Sequence, residues 1–121
     1  MTTVLIVDAA NVVGSRPDGW WKDRAGAALR LHDALLVADV GYDVVVLVLE
    51  GQAKAAVKPG RDAHIRVVHA SRDGDSAIVA QAHAAAGRGD RVAVVTADRA
   101  LAANVSAVAT TLSPTWLLDQ I

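Results

Sequence analysis

The stretch Val4-Leu-Ile-Val-Asp8-Ala-Ala-Asn11 decides the expected fold. Its four consecutive apolar residues are typical of a parallel strand that is covered on both faces. The strand ends on a carboxylate, and an asparagine follows three residues later. The same design returns at Val92-Ala-Val-Val-Thr96-Ala-Asp98. An Asp just beyond such a strand lies at the carboxyl edge of the sheet, where open α/β folds bind their ligands.

The rest of the chain predicts strands that alternate with helices. The predicted strands span residues 3–7, 42–49, 65–69, 91–95 and 106–110. The predicted helices span residues 20–39, 53–58, 76–86, 99–104 and 115–120. Gly14, Pro17 and Gly19 predict a loop over 12–19, and Gly41 is expected to end the first helix. This alternation predicts a parallel sheet with right-handed crossovers.

Length and composition narrow the class of protein. The chain has 121 residues, of which 53% are hydrophobic, so we expect a single domain, 1–121, with an aliphatic core. Its 12 Lys and Arg against 13 Asp and Glu give a net charge of −1, so any contact surface for nucleic acid must be local. The chain has no cysteine, which excludes disulfides and thiolate chemistry. Without a leader segment or a membrane span in the sequence, we expect a cytoplasmic protein.

The acids of the predicted strand ends point to a metal site. If the strand order reverses beside the first strand, strands one and four are neighbours and Asp8 and Asp98 lie side by side. Asp75 approaches from the helix before strand four, and Glu50 ends strand two. Like charges this close raise one another's pKa unless a cation compensates them. Mg²⁺ and Mn²⁺ suit such oxygen ligands.

Each of these side chains also has a purely structural interpretation. Asp8 could cap the turn after its strand, and Asp98 and Asp75 could cap the helices that follow them. Asn11 could hold Asp8 or a ligating water, or could cap the turn. Asp73 is expected to be a solvated turn residue.

At these positions the sequence resembles the PIN-like nucleases, and in particular their NYN branch. The motifs that carry the likeness are Val-Asp8-Ala-Ala-Asn11-Val, Gly74-Asp75-Ser76-Ala-Ile78 and Val94-Val-Thr-Ala-Asp98-Arg99. The resemblance implies a Rossmann-like three-layer domain with about five strands in the order 3-2-1-4-5. It also implies a metal-dependent RNase centre with Asp8, Asp75 and Asp98, with Glu50 as a further ligand and Asn11 orienting a ligand.

One position departs from that family's pattern. Family members often carry adjacent acids at the entry to the middle helix, whereas Ser76 follows Asp75 here. If the second acid is needed, Asp73 or Glu50 must replace it, or catalysis is weak or absent.

A set of aromatic and basic residues follows the first motif: Arg16, Trp20, Trp21, Lys22 and Arg24. Base stacking beside cations is a common way to hold a single strand, so Arg16 and Trp20 are candidate substrate contacts. The alternative is that one Trp packs the first helix against the sheet. Arg99 is a candidate phosphate clamp, although an exposed helix position would explain it equally well.

The sequence therefore predicts a metal-dependent ribonuclease that acts on single-stranded RNA. One alternative is a weak or inactive PIN-like domain that binds RNA or acts as a scaffold. Another is a nucleotide phosphohydrolase that uses the same acids. A homodimer is left open as a further partnership. No phosphate-loop pattern and no nucleophile elbow is present.

Overall fold

The computed structural model describes residues 1–121 and is a Rossmann-like three-layer domain, with one six-stranded sheet between two layers of helices. The strands are β1 Thr3–Asp8, β2 Val44–Leu49, β3 Gly60–Asp62, β4 Ile65–His69, β5 Arg91–Val95 and β6 Ala109–Leu112. The helices are α1 Ala9–Gly14, α2 Arg24–Val37, α3 Gly74–Gly87, α4 Arg99–Val105 and α5 Pro114–Leu118. Two 3₁₀ helices span Trp20–Lys22 and Gly51–Ala55. None of the helices combines the length and the apolar character that crossing a membrane would need.

The strand order is β3-β4-β2-β1-β5-β6, and every neighbouring pair is parallel except β3 with β4. β1 is a central strand between β2 and β5, in register with Asp8 opposite Val48 and Val7 opposite Val95. The carboxyl ends of three buried strands therefore meet at one edge of the sheet.

The core is divided between the two faces of the sheet. Leu5 and Val7 of β1 belong to a cluster with the apolar side chains of α1, α2 and α5. Val4 and Ile6 belong to a second cluster with those of α3 and α4. Because successive side chains of a strand point to opposite faces, Asp8 continues the second set and points toward the α3 side.

The predicted class and the order of the five parallel strands are confirmed. In the numbering of the structure those strands are β4-β2-β1-β5-β6, which corresponds to 3-2-1-4-5. The prediction of about five strands missed β3. This edge strand has only three residues, all exposed, and pairs antiparallel to β4, so it carries no apolar alternation that a sequence pattern could detect.

The first predicted helix and the loop before it were wrong in detail. Part of the predicted loop 12–19 belongs to α1, which Asp8 caps by accepting a hydrogen bond from the Asn11 amide. The predicted helix 20–39 is split at Asp23, whose carboxylate caps the start of α2 by accepting from Gly26 N at 2.8 Å. Gly41 does not end this helix, because the chain is already extended at Ala38.

Three later boundaries also differ from the predictions. The N-cap of α3 is Asp73, so the helix begins at Gly74 rather than at residue 76. The segment predicted as a helix at 53–58 is instead the 3₁₀ helix Gly51–Ala55. The last strand lies at Ala109–Leu112 rather than at 106–110, because α4 continues to the fully buried Val105.

Candidate functional site

The residues that follow β1, β2 and β5 lie together at the carboxyl edge of the sheet. Asp8 and Thr96 are linked directly, since the Thr96 hydroxyl donates to Asp8 Oδ2 at 2.9 Å across 88 positions of sequence. Glu50 reaches the start of α3, where its Oε2 accepts a hydrogen bond from the Gly74 amide. We call this group of acids, Asp8, Glu50, Asp75 and Asp98, the acidic edge.

A short hydrogen-bond network fixes Asp8 in place. Oδ1 of Asp8 accepts a hydrogen bond from the backbone N–H of Asn11 at 3.3 Å. The Thr96 hydroxyl oxygen, which donates to Asp8, also accepts from the backbone N–H of Asp98 at 3.1 Å. The Asn11 side chain, through Oδ1, accepts from the Ala97 amide at 2.9 Å. Asn11, in α1, therefore joins this helix to the loop between β5 and α4 and holds the two acid-bearing segments against each other.

Burial and neighbouring charge act together on Asp8. Its side chain is only 7% exposed, and this burial is the main reason why the pKa of Asp8 is raised above its ordinary value. The hydrogen bonds from Thr96 and Asn11 oppose the rise, while the charges of Asp75 and Glu50 add to it. The proton affinity of Asp8 is thus set by other members of the acidic edge as well as by burial.

Asp75 lies in the first turn of α3, with an exposed side chain that makes no hydrogen bond within the protein. Its pKa is also raised, first by partial desolvation and then by the charges of Asp98, Asp73 and Glu50. Both effects disfavour the ionised form. The first turn of α3 therefore lies near the strand ends, within reach of the charges of Asp98 and Glu50.

Asp98 and Asp73 both serve as helix caps. Asp98 Oδ1 accepts from the amides of Ala100 and Leu101 at 2.9 and 3.1 Å, and its Oδ2 accepts no hydrogen bond within the protein. Asp73 accepts from Ser76 N at 2.7 Å and from Ser76 Oγ at 3.1 Å. Ser76, which stands where the family often has a second acid, therefore binds Asp73 and brings no carboxylate to the acidic edge.

The acidic edge has no basic partner in the protein. The three ion pairs of the structure join Arg30 to Asp18, His32 to Asp33 and Arg88 to Asp90, so none of them involves this edge. No three His, Asp or Glu side chains converge as a preformed cage for a metal ion. The oxygen donors nevertheless fit Mg²⁺ or Mn²⁺ chemically, because Mg²⁺ commonly keeps several waters and uses only one or two carboxylates.

A cavity of about 560 Å³ adjoins the acidic edge at Glu50. We call it the edge cavity. Four segments form it: α1, the start of α2 with the preceding 3₁₀ helix, the chain after β2, and the loop before α3. Its lining is Ala9, Ala10, Val13, Trp20, Arg24, Ala28, Glu50, Gly51, Gln52, Ala53, Arg72 and Asp73.

The predicted substrate contacts are distributed unevenly around this cavity. Trp20 lines it and is half-buried, with the Arg24 guanidinium 4.8 Å from the centre of its ring. Trp21 meets Trp20 edge to face and is 57% exposed. Arg16 instead lines a much smaller recess beside Asp18, so the structure does not bring it to the edge cavity. Arg99 is exposed at the start of α4 and makes no ion pair.

Sequence reasoning missed three side chains of this region. Thr96 lies within the motif that ends at Asp98, but no role was predicted for it. The available signal was a Thr two residues before a capping Asp. Gln52 and Arg72 line the edge cavity, but nothing in their local sequence indicates this. Their position depends on how distant segments pack.

These observations define a three-layer α/β domain with an acidic sheet edge beside a cavity. No family model matches the sequence, and no curated protein matches it either. Among solved structures, the fold is similar to that of a mutant of Rae1 (YacP) from Bacillus subtilis, with a TM-score of 0.69. That similarity covers 98% of this chain and 74% of the other, at 20% sequence identity. At this identity the likeness concerns the fold.

Proposed function

We propose that this protein is a metal-dependent ribonuclease of the PIN-like class, NYN branch, that cleaves single-stranded RNA in the cytoplasm. The observation that carries the proposal is the acidic edge itself. Asp8 ends one strand, Glu50 follows another, Asp75 lies in the first turn of α3 and Asp98 caps α4, and none of the four carboxylates has a basic partner. The charges of Asp75 and Glu50 raise the pKa of Asp8, and the charges of Asp98 and Glu50 raise that of Asp75, so a divalent cation would offset this repulsion.

In this proposal Asp8, Asp75 and Asp98, with Glu50 as a further ligand, hold Mg²⁺ or Mn²⁺, one or two of them directly and the others through its waters. Such an ion supplies water activation and neutralises charge on a phosphodiester. Thr96 and Asn11 act on the acids rather than on the substrate, because Thr96 fixes the Asp8 carboxylate and Asn11 fixes the loop that carries Asp98.

The resemblance in motifs supports this function, and the likeness in fold supports the three-layer domain on which the function rests. The ordered motifs around Asp8, Asp75 and Asp98 resemble those of the NYN branch, and the fold is similar to that of Rae1 (YacP). Arginines of the edge cavity provide the local positive charge that the balanced composition requires for an RNA contact.

The direct test is cleavage of a 5′-labelled single-stranded RNA with Mg²⁺ or Mn²⁺, with and without a chelator. Asp98→Asn is the informative variant, because Asn is as good an N-cap as Asp and should preserve α4. Losing several kcal/mol of charge stabilisation would lower the rate by about 100-fold or more. The matched control is Asp119→Asn, an exposed acid that follows α5 and makes no side-chain hydrogen bond.

Cleavage that survives the chelator, or an Asp98→Asn variant as active as Asp119→Asn, would contradict the proposal. Adding free nucleotides as a second substrate in the same assay separates a nuclease from a nucleotide phosphohydrolase.

A second candidate is a PIN-like domain that binds RNA without cleaving it. It is favoured by the absence of a preformed cage of three ligands and by Ser76, which stands where that family often has a second acid. RNA binding by wild-type protein without cleavage under any metal would select this function.

A further inference from the structure

We propose that the edge cavity is a seat for one nucleotide of a single-stranded RNA, with its base against Trp20 and its phosphates at Arg24 and Arg72. This proposal rests on the proposed function and deepens it, because it assigns the site that selects the nucleotide beside the acidic edge. The ligand class follows from the shape, the polarity and the charge of the cavity.

The cavity has the volume and the apolar lining that a base requires. Its volume of about 560 Å³ lies within the roughly 300–1,000 Å³ of ligand pockets, which suits a single nucleotide but not a duplex. Small apolar side chains of α1 and α2, Ala9, Ala10, Val13 and Ala28, form much of the lining. A flat aromatic heterocycle can lie on such a surface without leaving buried polar groups unpaired.

The Trp20–Arg24 pair supplies a stacking surface. The guanidinium lies 4.8 Å from the ring centre, and bases stack on both aromatic rings and arginine planes. Trp20 is only half-buried although it packs near Gly14, so part of its ring faces the cavity. Complete packing into the core would have removed that surface.

Two arginines and two acids line the cavity, and of these side chains only the arginines make no hydrogen bond with the protein. Glu50 and Asp73 each accept a hydrogen bond from a backbone amide at the start of α3. Arg24 and Arg72, by contrast, make no ion pair and no side-chain hydrogen bond with the protein. Two arginines with all donors available can bind phosphate oxygens bidentately.

Glu50 places this nucleotide seat next to the proposed metal site at the acidic edge. It lines the cavity and belongs to the acidic edge. A nucleotide in the cavity therefore has its backbone beside the acids. The Gln52 amide, also in the lining, offers both a donor and an acceptor that can read the edge of a base.

The experiment is an abasic scan of RNA binding without metal. Fluorescent single-stranded hexanucleotides, each lacking one base at a different position, are titrated with wild-type protein in chelator and followed by anisotropy. Stacking is worth about 1–3 kcal/mol per base, so one abasic position should weaken binding by about 5- to 150-fold. In Trp20→Ala, removing the base at that same position should not weaken RNA binding any further.

Three more variants keep the test decisive if Trp20→Ala folds poorly. Ala10→Leu adds bulk from an exposed position of α1 that lines the cavity, and should abolish the abasic effect without lowering the melting temperature. Arg72→Ala should weaken every RNA about equally and reduce the salt slope by about 0.7. Arg91→Ala, at the opposite edge of the sheet, is the charge-matched control and should do neither.

The outcomes separate this proposal from the nuclease proposal. The nucleotide seat is overturned if no abasic position weakens RNA binding in the wild-type protein. It is also overturned if Trp20→Ala and Ala10→Leu both show the same loss of affinity at each abasic position as the wild type. Either result counts even if wild-type protein cleaves RNA. A position-dependent scan in a protein that never cleaves RNA supports the seat and removes the nuclease. Failure to bind any of the hexanucleotides overturns the seat directly.

Discussion

Replacement of Asp8 by Asn removes a charge from the most buried position of the acidic edge while preserving the shape of the side chain. Asp8 is 7% exposed, and its two oxygens accept from Thr96 and Asn11. An asparagine has one acceptor oxygen in place of two, so it can keep the strong bond from Thr96 and lose the 3.3 Å bond from the Asn11 amide.

The magnitude follows from two opposing effects. Losing one hydrogen bond costs about 0.5–1.5 kcal/mol, and the longer bond from Asn11 belongs at the lower end. Removing the charge restores about 1.4 kcal/mol for each unit by which the folded-state pKa of Asp8 exceeds its unfolded value. Since burial and the charges of Asp75 and Glu50 raise that pKa, we expect Asp8→Asn at pH 7.5 to equal or exceed the wild type in stability.

The pH dependence gives the sharper test. A carboxyl whose pKa is raised on folding binds more protons in the folded state, so its ionisation destabilises the protein as the pH rises through the window between the two pKa values. The stability advantage of Asp8→Asn should therefore be full where wild-type Asp8 is ionised, and it should shrink as the pH falls through the raised pKa of that carboxyl.

Calorimetric unfolding of both proteins between pH 4.5 and 8 measures this difference, with roughly 4 °C in melting temperature for each kcal/mol in a chain of this length. In parallel, Mn²⁺-dependent cleavage by Asp8→Asn should be abolished. A variant that is less stable by the same amount at every pH would refute the argument that Asp8 is a strained, uncompensated acid. Undiminished cleavage would remove Asp8 from the mechanism.

Two further substitutions test how the acidic edge is positioned. Gly74→Ala would place a Cβ 3.0 Å from Oε2 of Glu50, so it should displace that carboxylate and lower the rate of metal-dependent cleavage. The control is Gly87→Ala, whose Cβ would have nothing within 4 Å and which should leave the rate unchanged. Equal cleavage rates for the two variants would contradict a role for the close approach of Gly74 to Glu50. Thr96→Val removes the hydroxyl that donates to Asp8 and should cost about 1–3 kcal/mol in unfolding free energy. Because that hydrogen bond lowers the pKa of Asp8, Thr96→Val should raise this pKa further and shift the acidic side of the pH–rate profile of cleavage to higher pH. An unshifted profile would mean that the ionisation of Asp8 does not control the loss of cleavage at low pH.

The sheet and the approach of the two segments that carry Asp8 and Asp98 were predictable, because buried parallel strands follow from a simple sequence pattern. Four apolar residues ending in Asp8, repeated before Asp98, indicate buried parallel strands. A reversal of strand order beside β1 then places the two segments together, and the structure joins them through Thr96 and Asn11.

What could not be predicted depends on short elements and tertiary packing. The six residues of α1 follow β1 without a break, and Gly14 and Pro17 in and after them signal a loop more strongly than a helix. The exposed three-residue β3 has no periodicity. Arg72 reaches the edge cavity only because the loop before α3 packs near α1 and α2, which no local pattern encodes.

The measurement that tests the central claim most directly is a Mn²⁺ soak of crystals with anomalous diffraction. The account predicts an anomalous peak at the acidic edge, bound by carboxylates from among Asp8, Asp75, Asp98 and Glu50, and its loss in Asp98→Asn. No peak at that edge at Mn²⁺ concentrations that support cleavage, or a peak that persists unchanged in the variant, would contradict it.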